Sequence, residues 1–212
     1  PKPMAPIAEQ PFLEYLLDYW IEQGVDRFIL SVGYKWKIIQ NHFGSNYKSA
    51  TLEYSVEETP LGTGGGILLA LNRLTKGQPV LLLNGDTFFK VPLVDFLGFH
   101  NQNKAEISLA LHQISGAKRY DWVILKDHHS IERVEPRSQK SKSGLINGGV
   151  YLLNPTIFNS ETWDGSSKLS LEDDMIPRAI QANNKLKGFV CPGKFIDIGV
   201  PEDYKSAASF FE

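Results

Sequence analysis

The feature that most constrains this chain is the regular alternation of short apolar segments with amphipathic helical segments. Residues 11–24 carry apolar side chains at the period of a helix that ends at Gly24, and residues 27–33 follow as a short apolar run. The pattern continues with a helix over 35–44, a strand over 50–56, a helix over 65–74, an apolar strand over 79–84, a helix near 92–100 and a strand over 106–114. Strand–helix–strand units of this length predict an α/β fold with a mostly parallel sheet that is covered by helices on both faces.

The second half of the chain departs from this regular alternation. From about residue 115 the sequence predicts a hairpin that turns at 126–128, a strand over 144–154, a helix over 170–184, a strand over 195–199 and a helix over 201–211. The sequence contains no internal repeat and no linker between domains. We therefore interpret residues 1–212 as a single domain, whose second half adds a small lid or substrate-binding part to the same sheet.

The composition argues against several classes of protein. The 212 residues carry a net charge of −2 and include one cysteine, Cys191. This near-neutral charge gives no electrostatic basis for binding nucleic acid or an anionic membrane. No apolar run in the sequence approaches the roughly 20 residues of a membrane-spanning helix, and a single cysteine cannot form an intramolecular disulfide. We expect a protein of the reducing cytoplasm.

Two aspartates occupy places that packing alone does not explain. Asp86 directly follows the apolar strand that ends at Asn84-Gly85, and Asp197 lies within the apolar run 195–198. A carboxylate in an apolar strand is costly unless it is paired or bound to a metal. Carboxylate oxygens suit Mg²⁺, which is commonly shared with substrate phosphates. The pair therefore favours phosphate-transfer chemistry, with a turn or helix-capping role as the alternative for Asp86.

A glycine-rich segment over 58–66 lies between a predicted strand and a predicted helix. It has four glycines in five positions from Gly62, interrupted only by Thr63. Glycine lets the backbone approach a ligand closely, and we expect the following helix start to offer unpaired N–H donors. The segment matches neither the phosphate-loop lysine pattern nor the dinucleotide-binding fingerprint. A tight turn without a ligand is the alternative.

Five segments occur in order along the chain: PKPM, PLGTGG, LLNGDTFF, GLINGGVYLL and FIDIGVPEDY. They resemble the signature blocks of the sugar-1-phosphate nucleotidyltransferases, and the resemblance extends from Pro1 to about Tyr204. It implies a three-layer, Rossmann-like nucleotidyltransferase fold with a mostly parallel mixed sheet. Within this family, the last two segments, GDTFF and the Arg119-Tyr120 pair are most similar to the D-glycero-α-D-manno-heptose 1-phosphate guanylyltransferases.

The resemblance implies a reaction and its substrates. The phosphate of a sugar 1-phosphate would attack the α-phosphorus of a nucleoside triphosphate, with Mg²⁺ as cofactor. GTP and the heptose 1-phosphate are the favoured pair, and mannose or glucose 1-phosphate with GTP or CTP is an alternative. A relative that senses a sugar nucleotide without turnover is another. No nucleic acid or membrane partner is implied, and association into a homo-oligomer is compatible with the family.

The resemblance also assigns roles to individual residues. Residues 1–114 would form the nucleotide-binding half and 115–212 the sugar-phosphate-binding half. The implied catalytic residues are Lys2, Asp86 and Asp197, and the two aspartates would also hold the metal. The implied nucleotide-binding residues are Glu57, Pro60, Leu61, Gly62, Thr63, Gly64 and Gly85. The implied sugar-phosphate-binding residues are Tyr120, Arg137, Asn147, Gly148, Gly149 and Glu172.

Some of these assignments have ordinary alternatives. Lys2 could be a solvated surface lysine, and Glu172 could be an acidic residue that favours the start of a helix. Two positions also differ from the family. Arg137 stands where a glutamate–lysine pair usually supplies the lysine that binds the sugar phosphate, and Asp121 replaces a glycine. Arginine would offer a forked guanidinium in place of a point charge.

Glu57 is the residue on which the choice of base depends. In relatives that use thymine or uracil, a glutamine stands three residues before the loop proline, and here that position is Glu57. A carboxylate can accept hydrogen bonds from N1–H and the 2-amino group of guanine, or from the amino group of cytosine, whereas it would repel the carbonyl oxygens of uracil and thymine. Glu57 therefore favours guanine, and less strongly cytosine. A solvated acid at the end of a strand is the alternative.

The resemblance also has an implication for the start of the chain. In the family a strand and a glycine-rich loop precede the lysine–proline pair, which is Lys2-Pro3 here. We therefore expect the chain to be N-terminally incomplete, with upstream residues that supply a central strand and donors to the triphosphate.

Overall fold

A computed structural model describes residues 1–75, 77–115, 120–136, 143–155, 157 and 168–212. The strands are β1 (Pro6–Ile7), β2 (Gln10–Pro11), β3 (Arg27–Val32), β4 (Asn46–Tyr47), β5 (Ala50–Val56), β6 (Val80–Leu83), β7 (Thr87–Phe89), β8 (Ile107–Ser115), β9 (Trp122–Lys126), β10 (Ser130–Glu135), β11 (Ser143–Leu153), β12 (Leu186–Val190) and β13 (Phe195–Asp197). The helices are α1 (Phe12–Glu22), α2 (Trp36–Phe43), α3 (Gly62–Ala70), α4 (Leu93–Gln102), α5 (Ile176–Gln181) and α6 (Pro201–Phe211). Short 3-10 turns cover Lys2–Met4, Leu71–Arg73 and Asp127–His129, and a π-helical turn, Leu171–Met175, leads into α5.

A six-stranded sheet forms the centre of the fold, with the strand order β6-β11-β8-β12-β10-β9. Strand β11 lies between β6 and β8 and runs antiparallel to both. The sheet therefore combines strands from both halves of the sequence, as expected for a second half that extends the first. A second sheet has the order β3-β5-β4, and β13 pairs with β7 in a two-stranded ribbon.

The mixed α/β class is confirmed, but parallel pairing is less common than the sequence predicted. Among the described strands, parallel pairs are limited to β3 with β5 and β8 with β12. The difference arises in the second half, because β9 and β10 form a hairpin and β11 returns between two strands of the first half. Strands joined by a tight turn must run antiparallel.

The predicted helices begin and end largely where the sequence placed them. Gly24 and Gly44 lie just beyond the ends of α1 and α2. Helix α3 is the exception, because it begins at Gly62, inside the segment predicted to be a loop. None of the helices in the described ranges has the length and apolar character needed to cross a bilayer.

Aromatic contacts join the first and last helices. The ring of Phe211 in α6 stacks on Tyr15 of α1 with centroids 4.1 Å apart, and it meets Phe12 and Phe88 edge-on. Phe210 also packs edge-on against Phe88. The aromatic end of the sequence thus packs within its own fold.

We expect Phe211→Ala to lower the free energy of unfolding by about 2 kcal/mol, because it removes apolar contact and leaves space beside Tyr15. Chemical denaturation measured by circular dichroism tests this. Val94→Ala is the matched control, since Val94 is 81% exposed and its truncation should change stability by less than about 0.5 kcal/mol. Equal losses in the two variants would contradict the proposed packing role of Phe211.

Candidate active site

Backbone pairing brings the two predicted metal-binding aspartates together. Strand β13 pairs antiparallel with β7 and places Asp197 opposite Thr87, the residue after Asp86. The N–H of Ile198 donates to the carbonyl oxygen of Asp86 at 3.0 Å. Two residues separated by more than a hundred positions in sequence therefore lie side by side at the ends of adjacent strands.

The charge of Asp197 is held in an unfavourable environment that a few donors partly offset. Burial raises the pKa of the Asp197 carboxyl above its usual value, and the charge of Asp86 raises it further. The N–H of Gly199 donates to Asp197 Oδ1 at 2.8 Å, and the Tyr120 hydroxyl donates to Oδ2 at 3.3 Å. Tyr120, predicted to bind the sugar phosphate, thus contacts a carboxylate assigned to the metal.

Lys2 lies next to the same carboxylates. Its Nζ is 3.4 Å from Asp86 Oδ2, and its side chain is 68% exposed. The 3-10 turn that contains Lys2 rests on Gly85, where an added Cβ would lie 3.3 Å from Cγ of Pro3. Gly85 therefore helps to place the turn, in addition to its expected place near the nucleotide.

Gly199 lies beside all three charged groups, which are Lys2, Asp86 and Asp197. A Cβ built on Gly199 would lie 2.9 Å from Asp197 Oδ1, 3.4 Å from Lys2 Nζ and 3.6 Å from Asp86 Oδ2. Among the described residues, no group of three or more His, Cys, Asp or Glu side chains could hold a metal ion. Two carboxylates nevertheless fit Mg²⁺, which usually keeps several waters and takes its remaining ligands from substrate phosphates.

The glycine-rich segment is held by a distant piece of the chain. The carbonyl oxygen of Leu169 accepts from the N–H groups of Gly64 at 2.9 Å and Gly65 at 3.3 Å, and the Leu169 N–H donates to Leu61 O at 2.7 Å. The expectation of unpaired donors at this helix start is therefore wrong for Gly64 and Gly65. Gly62 has φ +78°, and a Cβ there would lie 2.4 Å from Leu169 O. The protein itself requires glycine at this position.

Glu57 lies at the end of β5, beside this segment, and its carboxylate is engaged by protein donors. The N–H of Leu61 donates to Glu57 Oε2 at 3.0 Å, and the Ser31 hydroxyl donates to Oε1 at 3.4 Å. A Cβ on Gly66 would lie 2.7 Å from Oε1. Glu57 is half-buried, and its role in reading the base stays a prediction. Pro60, in contrast, is exposed.

Packing gives the glycine pair of β11 a reason in addition to the close ligand approach that the sequence predicted. A Cβ on Gly148 would lie 2.2 Å from Cδ1 of Phe89. Gly149 has φ +73°, and a Cβ there would lie 2.3 Å from Thr87 Oγ1. The carbonyl oxygen of Gly149 accepts from the Asn84 N–H at 2.8 Å. The pair thus lets β11 approach the strand ends that carry Asp86.

A chain of side-chain hydrogen bonds connects the glycine-rich segment with β11, called the sugar strand because it carries the predicted sugar-binding residues Asn147, Gly148 and Gly149. Asn147 Nδ2 donates to the Tyr151 hydroxyl at 2.7 Å, which in turn donates to Glu172 Oε1 at 2.9 Å. The Thr63 hydroxyl donates to the other carboxylate oxygen of Glu172 at 3.1 Å. Tyr151 is fully buried. Our sequence analysis did not identify it, although a tyrosine in an apolar strand needs a partner for its hydroxyl.

The backbone at the start of the helical segment 171–181 is capped by residues other than Glu172. The Asp173 N–H donates to Ser170 Oγ at 3.0 Å, and the Ser170 N–H donates to Asp174 Oδ2 at 2.8 Å. This reciprocal arrangement resembles a capping box. Glu172 also lies in this first turn, where its charge favours the helix start, so that alternative stands beside its side-chain contacts. Arg137 and Arg119 lie outside the described residues.

Comparisons with known proteins identify the class of protein to which this fold and this site belong. The sequence profile described as Nucleotidyl transferase matches residues 1–212. The chain belongs to this nucleotidyl transferase family.

Two bacterial proteins that are similar to this chain carry the same enzyme name. The D-glycero-alpha-D-manno-heptose 1-phosphate guanylyltransferase of Aneurinibacillus thermoaerophilus is 42% identical over 207 residues, which cover 98% of this chain and 87% of that protein. The protein of the same name from Campylobacter jejuni is 41% identical over 207 residues, covering 96% of this chain and 87% of its own.

A solved structure shows the same fold. HddC from Yersinia pseudotuberculosis, complexed with GMP-PN, superposes with a TM-score of 0.88 at 30% identity, covering 100% of this chain and 90% of that one. A glucose-1-phosphate thymidylyltransferase from Bacillus anthracis shares the fold at 15% identity with a TM-score of 0.80.

We expect Asp197→Asn to leave the metal-free protein at least as stable as the wild type at neutral pH. Because the pKa of Asp197 is raised in the folded state, its charged form opposes folding above that pKa, and this cost disappears as the pH falls through it. The stability advantage of the asparagine variant should therefore be largest near pH 7 and vanish in acid. Urea unfolding in the presence of a chelator, at several pH values, measures this.

Asp95→Asn is the comparison for that series. Asp95 lies in the first turn of α4, where its charge favours the helix N-terminus. This variant should be slightly less stable at neutral pH. A loss of stability for Asp197→Asn as large as that for Asp95→Asn would contradict the electrostatic account.

Proposed function

We propose that this protein is a sugar-1-phosphate nucleotidyltransferase that uses GTP and D-glycero-α-D-manno-heptose 1-phosphate to supply an activated sugar for surface polysaccharide synthesis. The observation that carries the proposal is the convergence of Lys2, Asp86 and Asp197 around Gly199. The choice of substrates draws support from the names of the two bacterial relatives. The GMP-PN held by the Yersinia structure supports a guanine nucleotide.

The proposed reaction is a displacement at the α-phosphorus of GTP. A phosphate oxygen of the sugar 1-phosphate attacks this phosphorus, the bond to the β-phosphate bridging oxygen breaks, and pyrophosphate leaves. Such transfers depend chiefly on positioning and on stabilising charge. No covalent intermediate with the protein is required, and burial raises the pKa of the Cys191 thiol, which disfavours a thiolate nucleophile.

Each charged group at the site has a role in this proposal. Asp86 and Asp197 would hold Mg²⁺, which when bound stabilises the negative charge of the α-phosphate and the incoming phosphate. Lys2, mostly exposed and 3.4 Å from Asp86, would turn to the phosphates and neutralise developing charge. Tyr120 would orient Asp197 through its hydroxyl.

We assign the nucleotide to residues 1–114 and the sugar phosphate to residues 115–212. The base would lie against the segment from Glu57 to Gly64, with Gly85 beneath the phosphates. Asn147, Gly148 and Gly149 would meet the sugar through their amide and backbone groups. Arg137 keeps its proposed contact with the sugar phosphate on the strength of its position in the sequence.

Glu57 would select the base. Leu61 and Ser31 hold its carboxylate in one orientation, and each carboxylate oxygen can accept more than one hydrogen bond. The remaining lone pairs would accept from N1–H and the 2-amino group of guanine. Preorganised acceptors of this kind discriminate strongly against a base that presents carbonyl oxygens.

We expect Asp86→Asn and Asp197→Asn each to lower kcat by about 100-fold or more with the fold retained, because each removes a charge from the metal site. Pyrophosphate release under saturating substrates measures kcat. Asp174→Asn serves as a control acid that caps a helix and should retain turnover within a few fold. Near-normal rates in either site variant would overturn the metal assignment.

We expect Glu57→Gln to weaken GTP use by about tenfold or more in kcat/KM and to raise the relative use of UTP and dTTP, since an amide can donate to a carbonyl oxygen. Initial rates with the four nucleotides measure this. Because the amide can still accept from Leu61, the loop should keep its structure. An unchanged nucleotide preference would remove Glu57 from the base site.

The proposed function is tested by pyrophosphate release from full-length protein with Mg²⁺. GTP, CTP, UTP and dTTP are each combined with heptose, mannose and glucose 1-phosphates. Turnover confined to GTP and the heptose phosphate is the expected result. Turnover with another pair would keep the chemistry and change the substrates, whereas no turnover by folded protein would indicate a relative that senses sugar nucleotides.

A further inference from the structure

We propose that Glu172 is a positioning residue that couples the two substrate sites, because its carboxylate joins the glycine-rich segment to the sugar strand. This replaces direct sugar contact as its role, and it rests on the proposed function only for the identity of the two substrates. Glu172 Oε2 accepts from Thr63 and Oε1 accepts from Tyr151, so one side chain connects elements that are far apart in sequence.

The donors in this network leave little freedom in how it is arranged. A carboxylate only accepts hydrogen bonds, and a hydroxyl has one proton. The hydroxyl protons of Thr63 and Tyr151 are therefore both committed to Glu172. The oxygen of Thr63 in turn accepts from the Leu171 N–H at 2.8 Å, and the oxygen of Tyr151 accepts from Asn147 Nδ2 at 2.7 Å.

The direction of these bonds determines which face Asn147 presents to a ligand. Because the Tyr151 hydroxyl donates its one proton to Glu172, its oxygen can only accept a hydrogen bond from Asn147. The Nδ2 group of Asn147 must therefore point toward Tyr151. Asn147 Oδ1 is then the atom that accepts from the Gly149 N–H, at 3.1 Å. One N–H and one lone pair of the Asn147 amide remain for a sugar hydroxyl.

At the other end, the network restrains the glycine-rich segment. Thr63 lies in the first turn of α3 between Gly62 and Gly64, where the backbone is held by the carbonyl of Leu169. Leu169 and Glu172 belong to the same short stretch, so backbone and side-chain bonds fix the segment together. A shift of this segment on nucleotide binding would therefore act on Tyr151 and Asn147 through Glu172.

The burial of Tyr151 makes these bonds strong enough to transmit such a shift. Tyr151 is fully buried, and hydrogen bonds to a carboxylate are about twice as strong as neutral ones. Burial raises the pKa of Tyr151 well above its usual value, and the charge of Glu172 adds to this. The Tyr151 hydroxyl therefore keeps its proton at neutral pH and can donate it to Glu172.

The test measures binding at one site after a change at the other. Tyr151→Phe removes a hydroxyl that the sugar strand itself carries, and we expect it to raise the dissociation constant for GTP about tenfold in calorimetry with no sugar phosphate present. Thr63→Val, in the nucleotide half, should raise the KM for the sugar 1-phosphate by a similar factor. Glu172→Gln should produce both effects, because the amide can donate to Tyr151 and reverse the bond to Asn147.

Control variants separate coupling from general loosening of the fold. Tyr19→Phe removes a partly buried hydroxyl that donates to Val91 O at 2.9 Å, outside the network, and it should leave GTP binding unchanged. Thr63→Ser keeps the hydroxyl and should recover most of the lost coupling. The double variant of Thr63→Val and Tyr151→Phe should be less than additive, since both act through Glu172.

Each outcome decides the proposal. If Tyr151→Phe binds GTP as wild type does, or if Glu172→Gln alters only the sugar KM, Glu172 contacts the sugar and the coupling role is wrong. Folding of every variant is checked by thermal unfolding, and the isosteric Tyr151→Phe keeps the test available if Thr63→Val does not fold. Wild-type protein that binds GTP without turnover would refute the proposed function alone, because the calorimetric comparison of the wild type with Tyr151→Phe and Glu172→Gln does not require catalysis. Wild-type protein that binds no GTP would overturn both.

Discussion

The pairing of β7 with β13 is the interaction on which the candidate site depends. It places two carboxylates at neighbouring strand ends, although the charge of Asp86 disfavours that of Asp197. Such an arrangement opposes folding and is retained in proteins mainly where it has a function. Lys2 and the N–H of Gly199 partly offset the repulsion, and a cation shared with substrate phosphates would offset the remainder.

Several glycines of this protein are required by packing within its own fold. Glycine-rich segments are commonly associated with ligands, yet several of these glycines make room for the protein itself. Leu169 approaches Gly62, and Phe89 approaches Gly148, at distances that exclude a Cβ atom. The close approach brings the segment around Leu169 against the glycine-rich segment, and it brings β11 against the strand ends. Glycine thus serves the assembly of the site as well as access to it.

The membership of the nucleotidyl transferase family is consistent with this architecture. The six-stranded sheet takes strands from both halves of the chain, so residues assigned to nucleotide and to sugar are held by one framework. Glu172 extends this connection from the backbone to the side chains, since it links Thr63 in one half with Tyr151 in the other. Under the coupling proposed above, the affinity for each substrate would depend in part on Glu172, a residue that contacts neither.

The sequence by itself located most of the helices and longer strands and indicated the family, but it did not predict β12 and it placed the start of α3 three residues late. Hydrophobic periodicity and glycine stops located α1 and α2 because these signals are local. The tertiary structure decided which polar groups are engaged. The partners of Glu57 come from β3 and the start of α3, and those of Glu172 lie about 20 and 110 residues away. Hydrogen bonds between distant residues leave no periodic trace in a single sequence, and only the packed fold shows them.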